Sequence, residues 1–214
     1  MLAAQLSPFA RGRAGTAPVG RTVAWVALAY GTLGAFGAIA ALALGNDPLT
    51  TEPWLPVDGA FAACLSLGLG LGVAVATIAA TRAMVARFSW ARQLHGDLRP
   101  VVQGADNTMI LLTAIASGVG EEIFFRGLLV PWLGVWISSL AFGLLHQVRG
   151  RARWAWAAWA AIMGVLFALL FVLTGHLEGA ILAHVVINTA NLRFLRDHMG
   201  PAPKARALGG LLGR

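Results

Sequence analysis

Charged side chains are scarce in this sequence of 214 residues. Lys, Arg, Asp and Glu together make up 12% of it, against 58% hydrophobic residues, and the mean hydropathy is +0.73. Soluble globular domains carry about 25% charged residues, so this composition excludes an ordinary soluble domain and indicates an integral membrane protein. The net charge of +7 does not indicate nucleic-acid binding, because the basic residues lie between apolar runs and not together on one polar surface.

Cysteine is nearly absent as well. The single residue, Cys64, excludes an intramolecular disulfide and a cysteine-rich zinc site. The sequence also lacks the His-Glu-x-x-His motif of soluble zinc proteases. No internal repeat is detectable, which disfavours the repeated architecture of many small carriers.

Long apolar runs are what the sequence does contain. A helix of about 20 apolar residues crosses the hydrocarbon core of a bilayer, and six runs approach that length. The predicted fold class is therefore all-α, a polytopic transmembrane helix bundle of about six spans. The predicted spans cover residues 22–45, 59–81, 107–130, 132–147, 154–174 and 180–195, with Pro131 ending the third.

The distribution of basic residues predicts how these spans are oriented. Cytoplasmic loops collect Lys and Arg, and six spans with both termini in the cytoplasm place fifteen of the sixteen basic residues on that side. The exception is Arg126, inside the third span. The predicted exported loops, 46–58 and 175–178, contain no basic residue. We therefore expect a multi-pass protein of the inner (cytoplasmic) membrane.

The chain divides into four predicted segments. Arginines alternate with apolar residues over 82–106, a pattern typical of an amphipathic helix lying on an anionic leaflet. The segments are a cytoplasmic tail (1–20), two spans with this basic amphipathic segment (21–104), a four-helix core carrying the intramembrane polar residues (105–196) and a disordered cytoplasmic tail (197–214).

Three charges interrupt the third span. An ionisable residue inside a membrane costs at least a few kcal/mol, so its default interpretation is a functional site. Glu122 and Arg126 are i and i+4 on a helix and are predicted to pair. Glu121 points roughly 140° away from Arg126, which leaves it without a local counter-ion, as a general base requires.

Three further polar residues lie inside predicted spans. His146 is near the end of the fourth span, and His184 and Asn188 share one face of the sixth. Counting residues from the span ends puts them and Glu121 at similar depth, so they are predicted to meet near the middle of the bilayer. Three other histidines, His95, His176 and His198, lie in predicted loops and are interpreted as structural or surface residues.

The order of these residues resembles a known family. Glu121-Glu122-x-x-x-Arg126, Phe142-x-x-x-His146 and His184-x-x-x-Asn188, on successive hydrophobic helices, are similar to the three motifs of the CAAX prenyl protease and bacteriocin-processing family, also called abortive-infection-type intramembrane proteases. The match covers about 105–195. It implies an enzyme that hydrolyses a peptide bond within the membrane.

The resemblance also implies roles for the site residues. Glu121 with His146 would activate water, while His184 and Asn188 would stabilise the oxyanion. Glu122, Arg126 and Phe142 would support them. No cofactor is then required, but a zinc site is an open alternative, because two His and one Glu (His146, His184 and Glu121) form a known catalytic zinc set.

The implied partners are the lipid bilayer and a membrane-tethered or hydrophobic protein or peptide, with no nucleic acid. Prokaryotic relatives act in maturation, sorting, and bacteriocin processing or immunity, and the sequence specifies neither the substrate nor the oligomeric state. One alternative is a non-enzymatic immunity or scaffold protein, which the intact motifs disfavour. A proton-coupled carrier is another, since intramembrane Glu and His also form proton relays, but the absence of repeats disfavours it.

Overall fold

The computed structural model of the protein describes residues 19–148 and 152–198. Over these ranges the chain is a bundle of helices, which confirms the predicted all-α class. The elements are α1 (Val19–Ala43), α2 (Gly59–Arg87), α3 (Ser89–Val102), α4 (Asn107–Glu122), a π-helical segment (Ile123–Leu129), α5 (Val130–Leu145), α6 (Arg153–Thr174) and α7 (Glu178–Asp197). Most of the predicted tails, 1–20 and 197–214, lies outside the described residues, as do residues 149–151.

Four stretches in the described ranges are long and apolar enough to cross a membrane: Ala24–Ala43, Gly59–Arg87, Asn107–Leu145 and Arg153–Thr174. The third has 39 residues, roughly 58 Å as a straight helix, about twice the thickness of the bilayer core. It therefore contains two of the predicted spans. Helix α7 is not among the four, since polar and charged residues lower its hydropathy. A multi-pass membrane protein is supported, while six spans and cytoplasmic termini stay predictions.

The break between the third and fourth predicted spans is at Gly134 and not at Pro131. Helical structure continues from α4 through the π-helical segment and past Pro131, and the chain then turns at Gly134, where φ is 79° and ψ is 169°. A proline removes one helical hydrogen bond without reversing the chain, whereas glycine adopts positive φ without steric cost. The regular part of α5 beyond Gly134 spans roughly 16 Å, about half of a bilayer core.

The predicted amphipathic segment begins later than expected. Helix α2 continues through Arg82 to Arg87, and the amphipathic helix is α3, which buries Ala91, Leu94 and His95. Arg82 can extend the apolar helix because its guanidinium donates to Asn191 Oδ1 and to the carbonyl oxygen of Ala190 on α7, both at 2.8 Å. Segment 82–106 therefore comprises the end of one span and a separate helix that packs against α2 and α7.

Small residues let the N-terminal helices approach the rest of the bundle. A Cβ atom added at Gly70 of α2 would overlap the backbone of Gly179, at the start of α7. One added at Gly34 of α1 would lie 3.1 Å from the Cα atom of Gly120 on α4. Helices in membranes associate through such contacts, so α2 packs closely on α7 and α1 on α4.

The two predicted exported loops lie against each other. The backbone amides of Thr51, Trp54 and Leu55 donate to the carbonyl oxygens of Gly175, Val172 and Leu173, and Thr50 forms an isolated antiparallel bridge with His176. These bonds place the α1–α2 and α6–α7 connections at the same end of the bundle, as the predicted orientation requires.

Candidate active site

Residues from four parts of the chain meet inside the bundle. Helix α4 supplies Glu121 and Glu122, the π-helical segment supplies Arg126, the C-terminal end of α5 supplies His146, and α7 supplies His184. All are buried except His146, which is half-buried. Of the four side chains predicted to meet, the structure brings Glu121, His146 and His184 close together, with the Glu122–Arg126 pair beside them.

Glu122 is the centre of the charged part of the site. Its Oε1 atom accepts a hydrogen bond from Arg126 Nη1 at 2.9 Å and another from His184 Nδ1 at 2.6 Å. Both Glu122 and Arg126 are almost fully buried, at 0% and 1% exposure. The predicted Glu122–Arg126 pair is present, but Glu122 also orients His184, which the spacing of the sequence did not indicate.

The rest of Arg126 is held by neighbouring helices. Its Nη2 atom donates to the carbonyl oxygen of Gly164 on α6 at 3.2 Å. Its guanidinium lies 4.5 Å from the centre of the Phe142 ring, a favourable cation–π contact in a desolvated setting. The Phe142 ring also packs 4.2 Å from the His146 ring. The Phe142 ring therefore lies in contact with both the Arg126 guanidinium and the His146 ring, while its predicted supporting role stays a prediction.

Glu121 has different surroundings. Its Oε2 atom is 3.6 Å from His146 Nε2 and 3.9 Å from His184 Nε2. Both distances exceed an ordinary hydrogen bond, and among the described residues this buried oxygen has no hydrogen-bond partner. Most buried polar atoms are satisfied, so an unsatisfied carboxylate oxygen facing two imidazoles is a candidate reactive atom.

The other ring nitrogens of the two histidines are already engaged. His146 Nδ1 lies 2.7 Å from the carbonyl oxygen of Phe142, and His184 Nδ1 faces the Glu122 carboxylate. Since a carbonyl or a carboxylate can only accept, both Nδ1 atoms carry the proton. In the neutral rings both Nε2 atoms are then acceptors, and both are directed toward Glu121.

Asn188 lies one turn beyond His184 on α7 and is held by α4. Its Nδ2 atom donates to Ser117 Oγ at 3.1 Å, and Ser117 Oγ donates to the carbonyl oxygen of Ala114 at 3.3 Å. An amide nitrogen carries two N–H groups, so one donor of Asn188 is used for orientation. Sequence reasoning missed Ser117, although its position four residues before Glu121 places it on the same face of α4.

Tyr30 on α1 is a second residue that sequence reasoning missed. Its hydroxyl interacts electrostatically with the Glu121 carboxylate. A Cβ atom added at Gly120 would overlap the Tyr30 backbone, so the two helices are in close contact beside the site. The sequence offered one signal for Tyr30, because it is the single tyrosine of the chain and lies in a predicted span.

The donor set was tested against the zinc alternative. Glu121 Oε2 and the two Nε2 atoms are suitable ligand types, and the partners of both Nδ1 atoms are those that zinc-bound histidines commonly have. However, no group of three His, Cys, Asp or Glu side chains in the described ranges lies close enough to hold a metal ion. The three side chains are therefore of a type that binds zinc, but they would have to lie closer together to hold the ion.

Comparison with protein families identifies this part of the chain. Residues 104–190 match the family of type II CAAX prenyl endopeptidase Rce1-like proteins. This segment is Rce1-like. It contains every predicted site residue from Glu121 to Asn188 and excludes Tyr30, so the resemblance drawn from the three motifs is confirmed.

Two curated proteins are similar to this chain. An uncharacterized protein, YpbD, of Bacillus subtilis (strain 168) is 30% identical over 79 residues, which cover 37% of this chain and 41% of that protein. CAAX prenyl protease 2 of Arabidopsis thaliana is 25% identical over 137 residues, 53% of this chain and 44% of that protein. The matched regions are thus less than half the length of these relatives. No solved structure matches the chain.

Proposed function

We propose that this protein is an intramembrane endopeptidase that hydrolyses a peptide bond in a membrane-associated protein or peptide by glutamate-activated water. The observation that carries the proposal is the unpartnered Oε2 atom of Glu121, which faces the Nε2 atoms of His146 and His184. The Rce1-like match and the name of the Arabidopsis relative, CAAX prenyl protease 2, support the same reaction class.

The first step is removal of a proton from water. Glu121 Oε2 and His146 Nε2 are both acceptors when His146 is neutral, and two acceptors 3.6 Å apart repel each other unless a donor lies between them. A water molecule supplies both donors. Glu121 takes one proton as general base, His146 orients the water through the other, and the hydroxide attacks the carbonyl carbon. When the C–N bond of the resulting tetrahedral intermediate breaks, the proton held by Glu121 passes to the leaving amine.

The second requirement is a set of donors for the oxyanion. Asn188 supplies its free N–H group. His184 supplies a donor only as an imidazolium, because its Nδ1–H is already used on Glu122. His184 then donates through Nε2 to the oxyanion.

The substrate follows from the position of the site. Glu121, Glu122 and Arg126 lie in a stretch long and apolar enough to span a membrane, so we propose a membrane-tethered or hydrophobic segment as substrate and the lipid bilayer as the second partner. In the cell this corresponds to maturation, sorting, or bacteriocin or immunity processing at the inner membrane.

In the zinc alternative of this protease, Glu121, His146 and His184 would hold the ion, which would supply a Lewis acid and lower the pKa of a bound water. We propose the metal-free form. Purified enzyme should therefore keep its activity after prolonged treatment with a strong chelator, and elemental analysis should find well under one metal ion per chain. If the protein contains one zinc ion per chain, and zinc and activity are lost and restored together, the enzyme is a metalloprotease.

The experiment that tests the activity compares three membrane preparations of the host. One carries the native protein, one carries Glu121→Gln and one carries Glu52→Gln, an exposed glutamate in the α1–α2 loop. A polypeptide that accumulates uncleaved only with Glu121→Gln identifies the substrate. Equal accumulation in all three preparations, with equal levels of folded protein, would overturn the proposed activity.

A further inference from the structure

Helix α1 reaches the reactive carboxylate from outside the Rce1-like segment. Its Tyr30 packs against Gly120, the residue directly before Glu121, where any side chain on Gly120 would overlap the Tyr30 backbone. Gly34, one turn further along α1, makes a second close approach to Gly120. These two glycine contacts fix the position of Tyr30 relative to the Glu121 backbone.

Glu121 needs a partner that the core helices do not supply. Arg126 and the Nδ1 atom of His184 both bind Glu122, and the two nearby Nε2 atoms lie beyond hydrogen-bond distance. A glutamate has several rotatable bonds, and an unrestrained carboxylate would sample orientations that face away from the histidines. Tyr30, which packs against Gly120 directly beside Glu121, carries a hydroxyl donor on a rigid ring and can offer it to this carboxylate.

We propose that Tyr30 is a positioning residue, whose hydroxyl donates a hydrogen bond to the Glu121 carboxylate and holds Oε2 toward His146 and His184. Helix α1 is then part of the active site and not only a membrane anchor. This inference rests on the proposed function for its kinetic consequence, while the hydrogen bond itself can be tested without any activity.

The spectroscopic test uses the fact that the chain has one tyrosine. Protein labelled with 13Cζ-tyrosine gives a single tyrosine Cζ resonance, which reports on the hydrogen bonding of the hydroxyl. Glu121→Gln should shift this resonance, because a charged acceptor becomes a neutral amide, and Glu52→Gln should leave it unchanged. An identical resonance in the native protein and Glu121→Gln would overturn the proposed contact.

The kinetic test compares Tyr30→Phe with Thr32→Val, which removes an exposed hydroxyl from the same helix. A hydrogen bond to a charged group contributes about 1.5–3 kcal/mol, so Tyr30→Phe should lower kcat about tenfold or more with KM nearly unchanged. Thr32→Val should leave both constants unchanged. A role limited to ring packing predicts native kcat in Tyr30→Phe, and that result would overturn the positioning role.

The two proposals fail in different ways. If the native protein and Glu121→Gln are equally inactive while the tyrosine resonance shifts, the contact stands and the proposed protease activity is wrong. If the native protein cleaves, Glu121→Gln does not, and Tyr30→Phe equals the native protein in kcat, the protease stands and the positioning role is wrong.

Discussion

Glu121 and Glu122 are adjacent on α4 and both are buried, yet only Glu122 forms close hydrogen bonds with an arginine and a histidine, through one of its two oxygens. Glu122 Oε1 binds Arg126 and His184 at 2.9 and 2.6 Å. Glu121 Oε2 faces two imidazole nitrogens at 3.6 and 3.9 Å without a hydrogen bond. A buried charge must be paired to be stable, whereas a base must have a free lone pair to react. The comparison teaches that one carboxylate stabilises the bundle while its neighbour is available for chemistry.

The largest effect should come from Glu121, the member of the pair that faces the two Nε2 atoms. Glu121→Gln keeps the volume and removes the base, so kcat should fall on the order of a thousandfold or more. The midpoint of thermal unfolding in detergent should stay close to that of the native protein, since no ion pair is lost. Retained cleavage by Glu121→Gln would show that the base is another group.

Arg126→Met should act on stability first. It leaves Glu122 buried without its cation, which costs about 3–5 kcal/mol of unfolding free energy, measured as a lowered unfolding midpoint and a lower yield of folded protein. Arg87→Met, at the exposed end of α2, is the matched control and should be neutral. An Arg126→Met protein of native stability but without activity would assign Arg126 to the chemistry.

Asn188→Ala should come next in size. Loss of one oxyanion donor lowers kcat about a hundredfold or more while KM is nearly unchanged. The control is Asn191→Ala on the same helix, which binds Arg82 and not the site. Because residues that act as a unit are not additive, the double variant His184→Ala/Asn188→Ala should lose less than the product of the two single losses. Full activity of Asn188→Ala would show that Asn188 has only a structural role, as an interhelical hydrogen bond.

Ser117→Ala should have the smallest effect of the series. It removes the acceptor that holds Asn188 but leaves both amide donors in place, so we expect a loss of about fivefold to tenfold in kcat, within the range of one neutral hydrogen bond. In an Asn188→Ala background the same substitution should have no further effect on kcat. Independent losses in the double variant would show that Ser117 acts elsewhere.

Two parts of this site could be predicted from the sequence. The Glu122–Arg126 pair follows from i, i+4 spacing, and the meeting of Glu121 with the two histidines follows from similar depth on successive helices. Spacing along one helix is a short-range property, so it survives folding unchanged.

The parts that failed depend on contacts between distant segments. Glu122 binds His184 across 62 residues, and Arg82 extends α2 because α7 offers it acceptors. Pro131 was interpreted as a helix end, because the cost of a proline is visible in sequence while the positive φ of Gly134 is not. Tyr30 could not be assigned, since its importance depends on the close approach of α1 to Gly120.

The backbone hydrogen bonds between the α1–α2 loop and residues 172–177 have a consequence for folding. They join the N-terminal helices α1 and α2 to the connection between α6 and α7. Inside the bundle, the glycine contacts of α1 with α4 and of α2 with α7 join the same parts of the chain a second time. Helices that are connected both at their ends and inside the bundle cannot open separately without breaking buried contacts. The two halves should therefore unfold in one cooperative transition, and hydrogen exchange in α1 and α4 should be protected to the same extent.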